Sequence, residues 1–182
     1  MEREFAPLPP EPIPAQPEPA VARVLDYWRS KCGADGELPL AKDINLMDLY
    51  EIAPNLLLAD VERAPDALPR YRWRFWGTAL TNFFSVELSG RYIDEAYTPA
   101  AARQIIAAYD WILQKRAPHF WTRRGGLAQD NQEHLVYRRL ICPLTAADGE
   151  ISRLFGIITF DSAPPRNESQ SAGRASRQFD IS

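Results

Sequence analysis

The stretch RYRWRFWG, Arg70 to Gly77, alternates basic and aromatic side chains from Arg70 through Phe75. Successive side chains of a strand point to opposite faces, so a period of two predicts a strand here. Tyr71, Trp73 and Phe75 fall on one face and Arg70, Arg72 and Arg74 on the other. Trp76 interrupts the basic row, which predicts that this outer face is partly covered too. Just upstream, NLLLADVE (Asn55 to Glu62) is an apolar run of strand length. The intervening APDALP holds Asp66 and two prolines, so the two runs read as a hairpin.

On the N-terminal side, Val21, Val24, Leu25 and Trp28 recur at helical spacing over residues 20–31, and Gly33 and Gly36 end that helix. A short second helix fits Asp43 to Ile52, with Asp43 as its cap and Pro54 as its stop. On the C-terminal side, Thr78 is placed to cap a short helix reaching Val86. Thr98-Pro99 then opens a long helix to about Lys115, striped by Ile105, Tyr109 and Ile112, with Ile106 and Leu113 beside it. Pro118 blocks its continuation. The last third reads as three strands: His119–Arg124, Glu133–Leu144 and Ile151–Asp161. They are joined by the loop GGLAQDNQ and by a turn at Asp148-Gly149. The final strand is apolar on both faces, with Leu154, Ile158 and Phe160 on one and Phe155 and Ile157 on the other. That is the pattern of a central strand covered on both sides. The predicted fold is α+β: a five-stranded antiparallel sheet with helices across one face. The N-terminal helix, or a second subunit, covers the other.

The chain has 182 residues, with 24 acids against 21 Lys and Arg and a formal net charge of −3. That suits one domain and disfavours a general binder of nucleic acid or anionic membrane surfaces. No apolar run approaches the ~20 residues of a membrane span, and no signal sequence is visible. Cys32 and Cys142 form no pair motif, which fits a reducing cytoplasm. Seven of the 16 prolines fall in residues 1–19. This arm is expected to be extended or disordered and solvated, with a docking role as the sharper alternative. Residues 163–182 are polar and read as a second tail. The folded domain is residues 20–162.

No catalytic motif emerges. His119 and His134 have no Cys or carboxylate at metal-ligand spacing, so no metal site is expected, and a haem ligand has no attachment motif behind it. Cys142, before Pro143, reads as a buried small hydrophobe. Gly125-Gly126 lacks the lysine of a phosphate loop and reads as a hinge. Asp60, Asp94 and Glu95 are the available acids, and nothing in the sequence pairs them. The arginines of the 70–76 strand, with Arg123-Arg124 and Arg138-Arg139, suggest pairing with acids more than an RNA platform, because the aromatics face the opposite way. Of Arg138 and Arg139 one must point inward, and an inward arginine needs an anionic partner, from the protein or from a ligand. Tyr71, Trp73, Phe75, Phe83, Tyr109, Trp121 and Tyr137, with Arg139, are the candidate lining of a small-molecule pocket between sheet and long helix. The same rings also make a filled core. Val24, Trp28, Trp76 and Phe155 are the candidate interface residues.

Read together, Tyr27-Trp28, LPLAKDI, NLLLADVE, YRWRFWGTAL, ELSGRYIDE and YRRLICPLTAADGEI resemble a PAS-like family of short bacterial proteins common in alphaproteobacteria. The resemblance spans about residues 24–160. Its most specific pieces are Arg-x-x-Gly-Thr (Arg74 to Thr78), Leu-x-Gly-Arg (Leu88 to Arg91) and Pro143-Leu144. It implies a PAS fold and a sensory or interaction role, often as a dimer through an N-terminal helix and the outer sheet face. Phe84-Ser85 departs from the family's Phe-Gly, and Leu40-Ala41 from its Ser-Arg. The cysteine motif of flavin light sensors is absent, so no cofactor is evident. The expected function is a stand-alone cytoplasmic sensory or regulatory domain. It would bind a small molecule, or a partner such as a second copy, and do no chemistry. The alternatives are an interaction module with a filled core, or a small cone-like enzyme using Asp60 or Asp94.

Overall fold

The computed structural model describes residues 4–124 and 136–161. His134, the loop GGLAQDNQ and the polar tail from residue 163 lie outside them. Helix α1 (Pro19–Ser30) is followed by two 3-10 segments, Ala41–Asp43 and Leu46–Asn55. Strands β1 (Leu56–Glu62) and β2 (Arg70–Trp76) come next, then helices α2 (Thr78–Phe84), α3 (Ile93–Ala96) and α4 (Pro99–Lys115). Strands β3 (His119–Arg124), β4 (Val136–Thr145) and β5 (Ile151–Phe160) complete the order. All strand pairs are antiparallel, and the sheet order is β2-β1-β5-β4-β3.

The first and last strands of the sequence pattern therefore meet in the middle of the sheet. β1 and β5 present apolar side chains to both faces, as buried central strands must. Leu57, Ala59, Val61, Leu154 and Ile158 join an inner core under α2, α3 and α4. Leu56, Leu58, Phe155 and Ile157 join an outer core under α1. α1 buries Val21, Val24, Leu25 and Trp28, and the Trp28 indole donates to the Pro143 carbonyl at 2.9 Å. The outer face is thus closed from within the chain. Val24, Trp28 and Phe155, offered above as partner contacts, are buried under the chain's own helix at 0%, 7% and 0% exposure.

The strand that decided the fold does not keep its period to the end. Leu58 pairs with Phe75 but Ala59 pairs with Trp73, so Arg74 is an extra residue on β2. A bulge of this kind reverses the facing of everything beyond it. Phe75 turns to the outer core and leaves the pocket face. Trp76 turns inward and is buried at 3% exposure, so it is a core residue and not an interface residue.

Helix ends follow local chemistry. Thr98 Oγ1 accepts from Ala101 N, and Pro99 supplies the first turn of α4. Asn45, not Asp43, caps the second 3-10 segment by accepting from Met47 N. Gly77, not Thr78, is the N-cap of α2. At the other end of α2, Ser85 takes φ +56°, the left-handed conformation that glycine adopts without strain. Ser85→Gly is expected to stabilise the fold by about 0.5–1 kcal/mol in urea unfolding. A neutral or destabilising result would show that the serine contributes more than its backbone costs.

The Pro-rich arm is not a solvated tail over its described part. Leu8 N donates to Ala107 O of α4 at 2.9 Å, and Glu11 N donates to Phe120 O of β3 at 2.8 Å. The Glu11 carboxylate accepts from Thr122 N (2.9 Å) and from Arg123 (3.1 Å). Glu18 is bonded to Arg138 at 2.6 Å. Because β3 is the last strand of the sheet, these bonds fasten the arm along an edge that would otherwise offer unpaired backbone groups. Deleting residues 1–13 is expected to cost about 2 kcal/mol and to raise the apparent mass by edge-to-edge association. Light scattering on the truncated chain checks this, and an unchanged mass and melting temperature would contradict it.

Candidate functional site

The inner face of the sheet, with α4 across it, holds the candidate site. Trp73 and Trp76 come from β2, Trp121 from β3, Tyr137 and Arg139 from β4, and Ile158 from β5. Ile105 comes from α4 and Tyr97 from the connection between α3 and α4. Together they line a small cavity of about 10 Å³, close to the space one water needs. Four of the eight candidate pocket residues, Trp73, Trp121, Tyr137 and Arg139, are on this wall. Phe75 is on the other face of the sheet. Phe83 is not on the wall; it lies in the inner core, stacked on Phe160 with centroids 3.6 Å apart. Tyr71 meets Tyr109 edge to face at 5.2 Å and donates to Asp110 at 2.6 Å.

Sequence reasoning missed Tyr97, Trp76, Ile105 and Ile158 as wall residues. Trp76 was masked by the bulge. Tyr97 lies between two short patterns with no periodicity to orient it. Ile105 belonged to the helix stripe already read, and Ile158 to the last strand, and neither carried a polar signal.

Parity did identify the inward arginine. Arg138 faces out and pairs with Glu18 and Asp161, while Arg139 faces in and is 3% exposed. Its guanidinium carbon lies 3.5 Å from the centroid of the Trp121 ring and 5.0 Å from that of Tyr109. These rings offset part of the cost of burying the cation. Its Nε and Nη2 have no hydrogen-bond partner. The indole N–H groups of Trp73, Trp76 and Trp121 and the Tyr97 hydroxyl, all on the same wall, are unpartnered too. The Trp73 N–H lies near the Tyr97 hydroxyl but does not reach hydrogen-bond geometry. Burial lowers the pKa of Arg139 from its usual value, though an arginine stays charged regardless. Burial pushes the Tyr109 hydroxyl up to about 12 and Tyr97 well above its ordinary value, so both remain neutral O–H groups.

His119 joins the cavity wall to the arm. His119 Nε2 lies 3.1 Å from the Leu8 carbonyl, and its ring meets Trp121 edge to face at 5.6 Å. Burial, followed by the Arg139 charge, lowers the His119 pKa to about 4. The neutral ring then carries its proton on Nε2 to donate to Leu8, and leaves Nδ1 bare.

The arginines and acids of β1 and β2 are committed elsewhere. Arg70 is bidentate on Asp94 and also reaches Glu95 at 2.7 Å. Arg72 holds Glu62 at 2.6 Å. Asp60, buried on the outer face, accepts from Arg74 at 2.8 Å and from Arg153 at 3.2 Å. It lies in an open groove of about 540 Å³ that Arg72 and Lys42 also border. Neither Asp60 nor Asp94, the acids of the enzyme alternative, borders the inner cavity. Among the described residues no three His, Cys, Asp or Glu side chains are grouped to hold a metal.

A family model for the PAS domain matches residues 17–159. The chain belongs to the PAS domain family. Its five-stranded sheet with helices over the inner face is the α+β PAS fold. The arm residues 4–16 that strap β3 precede the PAS match. Among solved structures, the chain is similar to a sensory box sensor histidine kinase from Vibrio cholerae at 17% identity, covering 63% of this chain and 85% of that one, with TM-score 0.43. It is also similar to the PAS domain of Bordetella pertussis BvgS at 20% identity, covering 65% and 88%, with TM-score 0.46. No curated protein matches it. The PAS motifs have structural reasons here. In Arg-x-x-Gly-Thr, a Cβ on Gly77 would stand 2.2 Å from the Pro54 carbonyl oxygen, so only glycine fits. In Leu-x-Gly-Arg, Leu88 is fully buried, and Gly90 turns at φ +82° to donate to the Trp73 carbonyl. No helix among the described residues is long and apolar enough to cross a membrane.

Proposed function

We propose that this PAS domain is a sensory module that binds a small molecule in the inner cavity and does no chemistry on it. One observation carries the reading: six donor atoms on five wall residues are buried without partners. A core that only fills space has no reason to retain them. Each buried unpartnered polar group costs about 1–3 kcal/mol, a large share of the about 5–15 kcal/mol by which a domain is stable. A polar ligand recovers that cost on binding. The path from cavity to surface runs through Trp121 and His119 to the arm, which gives ligand occupancy a way to change the β3 edge. The free thiols Cys32 and Cys142 suit a reducing, cytoplasmic setting. With α1 closing the outer sheet face, a dimer partner would displace α1 or use exposed Met47 and Tyr50.

The alternative, a filled core serving only protein interaction, is favoured by the small volume of the cavity. Native mass spectrometry of the purified chain, with a thermal-shift screen of metabolites, separates the two. The sensory reading expects a small-molecule adduct or a saturable rise in melting temperature, either lost in Trp121→Ala. A bare mass and a flat screen would leave the interaction role alone.

A further inference from the structure

The cavity wall offers donors almost exclusively. Arg139 contributes a full positive charge, and Trp73, Trp76 and Trp121 contribute N–H groups that cannot accept. The acids Glu11, Glu18, Asp60, Glu62 and Asp94 are bonded to other arginines. The guanidinium carbon lies 3.5 Å from the Trp121 ring centroid and 5.0 Å from that of Tyr109, and polar partners must come to its N–H edges. The two unpartnered atoms are Nε and Nη2, which together form one such edge. That edge presents two parallel N–H bonds at the spacing of two carboxylate oxygens.

Resting on the binding reading above, we propose that the cavity's ligand is a small carboxylate. Its two oxygens sit on the Nε–Nη2 edge of Arg139, with the indole N–H groups completing the donor set. The cavity of about 10 Å³ has room for one water as it stands, so the wall must open to admit even a short carboxylate. Tyr97 is the wall residue that yields to admit it, because it sits between α3 and α4 and belongs to neither helix.

The test uses the full chain, titrated at constant ionic strength with acetate, propionate, chloride and acetamide. Calorimetry and tryptophan fluorescence follow binding, since three tryptophans line the cavity. Acetate or propionate is expected to bind saturably. Acetamide, the neutral isostere, and chloride, which cannot span the fork, are each expected to bind at least about 10-fold more weakly. Arg139→Met is expected to weaken carboxylate binding about 10- to 100-fold, as loss of a charge-assisted pair does. Tyr97→Phe removes only a hydroxyl and is expected to fold and to weaken binding by less than about 10-fold. Acetamide binding as well as acetate would overturn the carboxylate and leave the cavity reading standing. Chloride binding as well as acetate would overturn the carboxylate in favour of a single-atom anion. Unchanged carboxylate affinity in Arg139→Met would overturn it as well. No saturable response to any of the four would overturn it too. The metabolite screen would then decide separately whether the cavity binds anything.

Discussion

Acidification from pH 7 to pH 4 is expected to cost this protein about 3 kcal/mol at His119 alone. The buried ring has a folded pKa of about 4 against 6.5 when unfolded. Between those values the unfolded chain binds the extra proton and the folded chain does not. The contribution is therefore complete above pH 6.5 and is lost as the pH falls towards 4. The cause is burial first and the Arg139 charge next; the bond from Nε2 to the Leu8 carbonyl works the other way, and Nδ1 is buried without a partner. A second proton has nowhere to go but Nδ1, beside the Arg139 and Arg123 charges. Carboxylates elsewhere add their own pH dependence, so the comparison is with His119→Gln, whose amide can still donate to Leu8. Urea unfolding at both pH values should show the wild-type chain losing about 3 kcal/mol more than the variant. Equal losses would place the acid sensitivity elsewhere.

Gly156→Ala is expected to destabilise the fold by more than about 3 kcal/mol. A Cβ there would lie 2.1 Å from the Leu140 carbonyl oxygen and 3.1 Å from the Ile141 Cα. Both are backbone atoms of β4, so no side chain can rotate out of the way. β4 and β5 would have to part, although β5 is the central strand and the pair carries Arg139, Tyr137 and Ile158. Gly149→Ala is the control. Its Cβ meets nothing within 4 Å, and its φ of +83° leaves only the backbone cost of about 1 kcal/mol. Chemical denaturation of both variants gives the comparison, and a loss at Gly156 no larger than at Gly149 would contradict the close approach.

The parts of the fold legible in the sequence were those set by local periodicity. The alternation in β2 located the strand, the two-faced pattern of β5 placed it at the centre, and Thr98-Pro99 started α4 at the right residue. The parity of Arg138 and Arg139 picked out an inward cation. What was not legible depended on pairing between distant residues. The bulge at Arg74 exists only against β1, so Phe75 and Trp76 exchanged faces. The arm carries the composition of a solvated segment. Its docking rests on a few bonds from Leu8 and Glu11 to β3 and α4, which no local pattern records. Tyr97 joins the cavity through tertiary packing alone.

The central claim is that the unpartnered donors of the inner face form a binding site. The indole N–H resonances of the five tryptophans test it directly in a two-dimensional nitrogen-proton spectrum. During titration with acetate or propionate, Trp73, Trp76 and Trp121 should shift together and saturate. Trp28, whose N–H is already held by Pro143, should stay in place. Cavity indoles that never move, or five that drift together without saturating, would contradict the claim.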